Sequence, residues 1–188
     1  MIKHFSKVLS TYLAENGGNP KQEKIYSYGI ECFLNESISD VILLFFGFLL
    51  HNPIHIIIWC ISFTLIRLFL GGFHASTHAR CILIGTIAGI CSIYLNFIWD
   101  LRYPYPSIII TIFASIFSFL YAPIVHKNHP ISNNIRKNAR KNAICVIFLE
   151  SIISITLHPY YPKVASSIMS GILTAFLMAI AAKHNPKM

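Results

Sequence analysis

Long apolar runs recur along the chain, and they restrict the possible folds more than any other feature of the sequence. A bilayer core about 30 Å thick needs about 20 residues of helix, and several of the runs approach that length. The composition agrees, because 55% of the 188 residues are hydrophobic and only 12% are charged. In lipid, helices satisfy their own backbone hydrogen bonds. We therefore predict an all-α membrane protein.

The apolar runs predict six transmembrane helices within a single membrane domain that covers residues 1–188, with a surface region at 1–33 and a transmembrane core at 34–188. The first run is short, so we expect it to extend back through Glu36 or to tilt less than its neighbours. Pro53 and the two polar residues before it favour a tight hairpin after this run. The six runs are Ile38–Leu50, Pro53–Leu70, Ile82–Trp99, Ser107–Val125, Ala143–His158 and Val164–Ala182.

The first residues of the chain have the pattern of an amphipathic helix that lies on a membrane surface. A second helix is expected from Lys21 to about Phe33, after the helix-breaking stretch Asn16–Pro20. No secretory signal is evident, so the chain is expected to begin at or near Met1. Membrane lipids are therefore the first predicted partner. The apolar residues at helical spacing are Ile2, Phe5, Val8, Leu9, Tyr12 and Leu13.

The distribution of Lys and Arg predicts the orientation of the chain. Six spans place both termini on one side, and thirteen of the fifteen Lys and Arg residues lie on that side. Only Arg102 and Lys163 lie on the other. The positive-inside rule then puts both termini and the Gly71–Cys81 segment in the cytoplasm. This topology accounts for the net charge of +8, so no nucleic-acid partner is predicted.

Glu150 is the acidic residue deepest in a predicted span, near the middle of the fifth run. A carboxylate at that depth usually faces a partner or water. A hydrogen-bonded packing role and a functional role are both open. By contrast, the cysteines number five, and most of them lie in apolar runs, which favours reduced thiols over disulfides.

Reactive side chains concentrate between Arg67 and Cys81, in RLFLGGFHASTHARC. Gly71 and Gly72 can end a helix or let another chain approach the backbone. A cysteine attacks a carbonyl as its thiolate, and a nearby histidine can take the thiol proton. The segment therefore contains a candidate nucleophile, Cys81, and a candidate base, His74.

The spacing of this pair imposes a structural condition. Residues seven apart on a straight helix are separated by about 10.5 Å along its axis, whereas proton transfer needs contact. We therefore expect Ala75–Arg80 to form a bent or looped connection. Arg67 or Arg80, with backbone amides near the glycines, is a candidate to stabilise the thiolate or the oxyanion.

Two other classes of function use the same segment. His74, His78 and Cys81 have a spacing that places three metal ligands on one helical face, although no fourth ligand and no associated carboxylate base are evident. The segment also suits a peptide transporter or membrane adaptor in which Cys81 is incidental. A Cys–His enzyme should tolerate His78→Ala, whereas a metal enzyme should not.

The segment resembles the accessory gene regulator protein B (AgrB) family of membrane endopeptidases, which serve quorum sensing in Gram-positive bacteria. The similarity rests on Arg67, Gly71, Gly72, His74 and Cys81 in that order and spacing. Chain length, the span layout and the amphipathic start agree with it. So do the Tyr28-Gly29 element before the first span and the stretch from Ala122-Pro123 to Pro130-Ile131 before a basic loop.

The resemblance implies a multi-pass cysteine endopeptidase of the cell membrane that acts on an AgrD-like precursor peptide. Such an enzyme removes the C-terminal part of the precursor and closes the remainder into a thiolactone or lactone ring. The resemblance assigns Cys81 as nucleophile and His74 as general base, with Arg67, Gly71 and Gly72 in support. It implies a homodimer and calls for no cofactor and no metal. The basic residues that can attract the acidic precursor tail are Arg136, Lys137, Arg140 and Lys141.

Overall fold

The structure, a computed structural model, describes residues 2–72, 77–98, 105–124 and 133–184. Within these ranges it contains seven α-helices and one 3-10 turn, Pro20–Gln22. The prediction of an all-helical chain is confirmed. The helices are α1 (Ile2–Glu15), α2 (Glu23–Leu49), α3 (Pro53–Leu70), α4 (His78–Ile98), α5 (Tyr105–Tyr121), α6 (Asn133–Leu157) and α7 (Pro162–His184).

Among the described residues, four helices are long and apolar enough to cross a membrane, namely α2, α3, α4 and α7. The segment Ile108–Tyr121 of α5 is a shorter apolar helix. The first turns of α6 carry four basic side chains, so this helix is apolar only from Ala143 onward. The chain therefore has four to five candidate spans, and a sixth span in α6 stays a prediction.

Helix α2 is longer than the first predicted span. It runs without a break over 27 residues, about 40 Å, so its start extends beyond a bilayer core of about 30 Å. The expected extension back through Glu36 is confirmed, because the polar residues there do not interrupt a helix. The predicted hairpin is also confirmed, since α2 ends at Leu49 and Pro53 occupies the first turn of α3.

The chain divides into two compact units. The first comprises Met1–Ile42 and Ala75–Ile87, and the second comprises Leu43–His74 and Ala88–Met188. The first unit thus contains α1, most of α2 and the first turns of α4. The second contains the remaining helices. The single-domain prediction for residues 1–188 stays a prediction.

In the first unit, α1 turns its small side chains inward and its large apolar side chains outward. Ser6, Ser10 and Ala14 are buried. The hydroxyl of Ser6 donates to Glu31 of α2 over 3.3 Å. Small residues at four-residue spacing let two helices approach closely. The predicted amphipathic helix is confirmed, and its exposed apolar side chains are Phe5, Val8, Leu9, Tyr12 and Leu13.

The core of the second unit forms where α3 packs against α7. Ile56, Trp59 and Phe63 of α3 are almost completely buried. Helix α7 contributes small buried residues, and a Cβ atom at Gly171 would lie 2.6 Å from Ser62 Oγ and 3.2 Å from the Phe63 nitrogen. The first distance is shorter than real Cβ contacts, and the second is tighter than most of them. The close approach of the two helices therefore depends on glycine at this position.

Polar side chains link the helices inside this core. Ser62 of α3 donates to the carboxylate of Glu150 in α6, and its oxygen lies 3.1 Å from the Ile168 carbonyl of α7. His55 contacts Ser167 at 2.6 Å and Ser92 at 3.2 Å. Such bonds matter in lipid because no water replaces them. Glu150 thus contributes to packing through one carboxylate oxygen, while its Oε1 is buried without a hydrogen-bond partner among the described residues, and both roles of Glu150 stay open.

Gly71 ends α3 in a conformation that L residues rarely adopt, with φ of 76°. Its backbone pairs with Ile124, whose N–H donates to the Leu70 carbonyl over 2.9 Å. A Cβ at Gly71 would overlap the Ile124 carbonyl oxygen. Beside this pairing, Arg140 Nε donates to the Ala122 carbonyl over 2.9 Å. Glycine at position 71 is thus required by both conformation and space.

We expect Gly171→Ala to lower the free energy of unfolding by about 1–3 kcal/mol, because the new methyl group overpacks the contact with α3. Thermal unfolding of the purified protein in detergent would measure the change. The matched control is Gly29→Ala in α2, where a Cβ meets nothing within 4 Å and a small gain in stability is expected. Equal effects of the two substitutions would contradict the prediction.

Gly71→Ala should also destabilise the protein, by about 1–3 kcal/mol from backbone strain and by more from the clash with Ile124. Gly17→Ala separates the two causes, because Gly17 also has a positive φ, 114°, but nothing lies within 4 Å of its Cβ position. The same unfolding assay serves for both variants. A loss no greater at position 71 than at position 17 would show that the clash is relieved.

Candidate active site

Cys81 lies in the first turns of α4, which begins at His78. Thr77 caps this helix: its Oγ1 accepts a hydrogen bond from the Arg80 N–H over 3.3 Å, and its carbonyl accepts from the Cys81 N–H over 3.1 Å. Cys81 is partly exposed. A helix N-terminus is a favourable place for a group that becomes negatively charged. The local structure thus suits a reactive thiol at position 81.

The partner assigned to this thiol, His74, lies outside the described residues, so contact between His74 and Cys81 stays a prediction. The prediction of a looped connection over Ala75–Arg80 is wrong for His78–Arg80, which form the first turn of α4. The physical reason is the Thr77 cap, which starts the helix at this point. Helix α4 begins at His78, after His74. The distance between two residues seven apart on one straight helix therefore does not apply to His74 and Cys81.

Arg67, Gly71 and Gly72 lie together in the second unit. The Arg67 carbonyl accepts from the Gly71 N–H over 3.0 Å. A Cβ at Gly72 would lie 3.4 Å from Arg67 Nε, and the Arg67 guanidinium lies over the Phe63 ring at 5.4 Å from its centroid. The last turn of α3 thus places the arginine beside both glycines. The supporting roles of these three residues stay predictions.

The four basic residues of α6 are not equivalent. Arg136, Lys137 and Lys141 are exposed. Arg140 is partly buried and donates to the Ala122 carbonyl, so it helps to hold the segment that pairs with Gly71. Three of the predicted substrate-binding side chains are therefore accessible, and the fourth already has a structural contact.

Two residues that the sequence motif does not include contact His78, at the start of the Cys81 helix. Asn35 Nδ2 lies 2.9 Å from His78 Nδ1, and Glu31 Oε2 lies 3.7 Å from His78 Nε2. A signal for them exists in the sequence: four polar residues at four-residue spacing share one face of α2. They are Ser27, Glu31, Asn35 and Ser39.

The contacts of His78 also bear on the metal-site alternative. Both ring nitrogens face residues of α2 rather than Cys81. In the part of the chain that the structure describes, no group of three His, Cys, Asp or Glu residues is arranged to hold a metal ion. That search does not include His74. Nδ1 of His78 is occupied by Asn35, so only Nε2, which faces Glu31, is left for a metal ion.

Comparison with known proteins gives a consistent result. The family model Accessory gene regulator B matches residues 6–181. Two curated proteins of Clostridium perfringens are similar over 96% of this chain and 88% of their own length. One, from strain SM101 / Type A, is named Putative AgrB-like protein and is 24% identical. The other, from strain 13 / Type A, is named Putative AgrB-like protein 2 and is 23% identical.

No solved structure matches the chain significantly. The family model nevertheless extends from the middle of α1 almost to the end of α7, and it includes the whole Arg67–Cys81 segment. The resemblance noted from the motif is therefore confirmed over nearly the full length. On this basis the chain belongs to the accessory gene regulator B family.

Proposed function

We propose that this protein is a membrane cysteine endopeptidase that cleaves a quorum-sensing precursor peptide and closes the retained part into a thiolactone or lactone ring. The observation that carries the proposal is the family match over residues 6–181, which contains the complete Arg67, Gly71, Gly72, His74 and Cys81 pattern. Membership of this family implies processing of an autoinducing-peptide precursor. The assignment of roles to individual residues is our proposal.

In the first step, His74 takes the proton of the Cys81 thiol, and the sulfur attacks the scissile carbonyl. The tetrahedral intermediate collapses as the peptide C–N bond breaks. His74 returns the proton to the departing amine, which becomes the N-terminus of the released segment. The N-terminal part of the precursor is then held on Cys81 as a thioester.

In the second step, a thiol or hydroxyl within the bound precursor attacks this thioester. The Cys81 sulfur leaves and recovers a proton, and the peptide closes into its ring. With a thiol as nucleophile, one thioester replaces another, so no ATP is needed. Water would hydrolyse the same intermediate, so a site with restricted water access favours ring closure.

The capped start of α4 limits which groups can stabilise the oxyanion. The N–H groups of Arg80 and Cys81 are both bonded to Thr77, so neither is available to the substrate without breaking the cap. We propose the Arg67 or Arg80 side chain, or amides near Gly72, as the donors instead. Within the second unit, Arg67 lies beside Gly72.

We place the protein in the cell membrane of a Gram-positive bacterium, with six spans and both termini in the cytoplasm. One of these six spans, the fifth in chain order, is the apolar part of α6 from Ala143 to Leu157. The exposed apolar face of α1 lies in the inner leaflet, and Cys81 opens toward the cytoplasm. A homodimer is the expected assembly by analogy with the family.

The precursor is expected to be AgrD-like, with an acidic C-terminal tail. The exposed side chains of Arg136, Lys137 and Lys141 offer positive charge at the start of α6. Arg140, near them, bonds to Ala122 in the segment that also pairs with Gly71. We infer that this basic face attracts the acidic tail and increases the rate of encounter.

Cys81→Ser and His74→Ala should each abolish precursor cleavage while membrane insertion is unchanged, since each removes a reacting group. Electrophoresis of precursor and product in isolated membranes would measure cleavage. Mass spectrometry under single-turnover conditions should detect the N-terminal precursor fragment attached to Cys81. A persistent absence of that adduct would contradict the mechanism.

The matched controls are Cys91→Ser and His184→Ala, which replace exposed residues of α4 and α7 and should leave cleavage unchanged. Cleavage that survives Cys81→Ser would favour the transporter or adaptor. Sensitivity to a chelator would favour the metal enzyme.

Replacing Arg136, Lys137 and Lys141 together with Gln should raise KM for an acidic-tailed precursor by about three- to tenfold, with kcat nearly unchanged. The effect should shrink as salt concentration rises, because the charges are exposed. Cleavage kinetics at two ionic strengths would measure it. Lys163→Gln, an exposed charge at the start of α7, is the control. An unchanged KM at low salt would contradict the proposal that these basic residues attract the acidic tail.

A further inference from the structure

His78 has two directed contacts within the first unit, and both reach α2. Asn35 is buried, and its amide nitrogen lies 2.9 Å from His78 Nδ1, which accepts this hydrogen bond when the neutral ring carries its hydrogen on Nε2. Nε2 then faces the carboxylate of Glu31 at 3.7 Å, a separation at which the attraction is electrostatic rather than a hydrogen bond. Asn35 therefore holds the imidazole at Nδ1, while Nε2 faces Glu31 without a hydrogen-bond partner among the described residues.

Glu31 is itself held by α1. The buried hydroxyl of Ser6 donates to Glu31 Oε1 over 3.3 Å, which leaves Oε2 directed at His78. Ser27, Glu31, Asn35 and Ser39 form a polar stripe along α2, and this stripe lets α2 contact both α1 and α4. Residues four apart on a helix drift by about 40° per step, so the stripe winds slowly around α2. Ser27 at its start lies near Ser6 of α1, and Ser39 at its end lies near Gly85 of α4.

His78 and Gly85 mark the side of α4 that faces α2. They are seven residues apart and so lie on one face of the helix. A Cβ at Gly85 would lie 3.4 Å from Ser39 Oγ, which shows a close approach there. Cys81 lies between the two positions along the helix and about 60° around it from this face. Contacts on either side of Cys81 therefore fix the rotation of the turn that carries it.

We propose that Glu31 and Asn35 are positioning residues, which hold His78 and so keep the Cys81 thiol oriented for attack on the precursor. This proposal rests on the proposed function of Cys81. A small rotation has a large effect. When the turn rotates by about 20°, an atom that lies about 5 Å from the helix axis moves by about 2 Å. A misplacement of about 1 Å can cost about a hundredfold in rate. Because of these contacts, we now expect His78→Ala to lower activity, whereas the sequence alone predicted that it has little effect.

The experiment compares His78→Ala, Asn35→Ala and the double variant, with His184→Ala as the control. Each single substitution should lower kcat by about ten- to a hundredfold with KM little changed. The double variant should be no worse than the poorer single variant, because both remove the same contact. Additive losses would overturn the proposal, as would a wild-type kcat in His78→Ala.

His78→Asn tests the hydrogen bond directly. The Asn oxygen takes the place of Nδ1 and can accept from Asn35, so kcat should return to within about threefold of wild type. If His78 were the catalytic base, this variant would be as inactive as His78→Ala. Glu31→Gln, which keeps the shape of the side chain, should give a smaller loss of about three- to tenfold. If an alanine variant fails to fold, Glu31→Gln still tests the proposal.

The rate at which iodoacetamide alkylates Cys81, measured by mass spectrometry without precursor, separates this proposal from the proposed function. Loss of orientation should change the alkylation rate of Cys81 while that of Cys91, further along α4, stays constant. A Cys81→Ser variant that still cleaves would refute the proposed function alone. An inactive Cys81→Ser variant together with fully active His78→Ala and Glu31→Gln variants would refute the positioning role alone.

Discussion

The absence of water inside a bilayer is the constraint on which this structure depends. A polar side chain there must find its partner within the protein, and the described helices are connected by such partners. In the second unit, Glu150 and Ser62 join α6 to α3 where Gly171 lets α7 come close. In the first unit, within the predicted surface region, Glu31 contacts Ser6 of α1 and His78 of α4. Apolar surface brings the helices together, and these few polar contacts select one rotation for each of them.

The helical class, the hairpin before Pro53 and the amphipathic start follow from the sequence because each depends on local chemistry. Apolar run length, a helix-breaking residue and a short-range periodicity are sufficient for them. The continuity of α2 was harder to predict. Its polar residues suggested that one helix ends and another begins, although these residues are compatible with a continuous helix. The start of α4 was missed for the opposite reason: the Thr77 cap is a single side chain within a segment chosen for its reactive residues.

The contacts of His78 could not have been predicted from spacing. Asn35 and His78 are 43 residues apart, and the bond between them depends on how two helices pack. The polar stripe of α2 indicated that this face meets something, but not what it meets. The sequence predicts a role for Cys81 among five cysteines because a motif surrounds it, and that role stays a prediction. It also treated the four basic residues of α6 as equal, whereas Arg140 has a backbone partner that only the fold provides.

The reversed polarity of α1 has a consequence for how the protein is made. Its small polar face is turned toward α2, and its large apolar residues, Phe5 and Tyr12 among them, face outward. During synthesis α1 emerges before α2, the helix that faces its serines, and the outward face of α1 gives it affinity for the lipid surface at that stage. The serines then remain available on the opposite side until α2 follows. Biogenesis can thus proceed in the order of the chain, with the bilayer serving as the first docking partner.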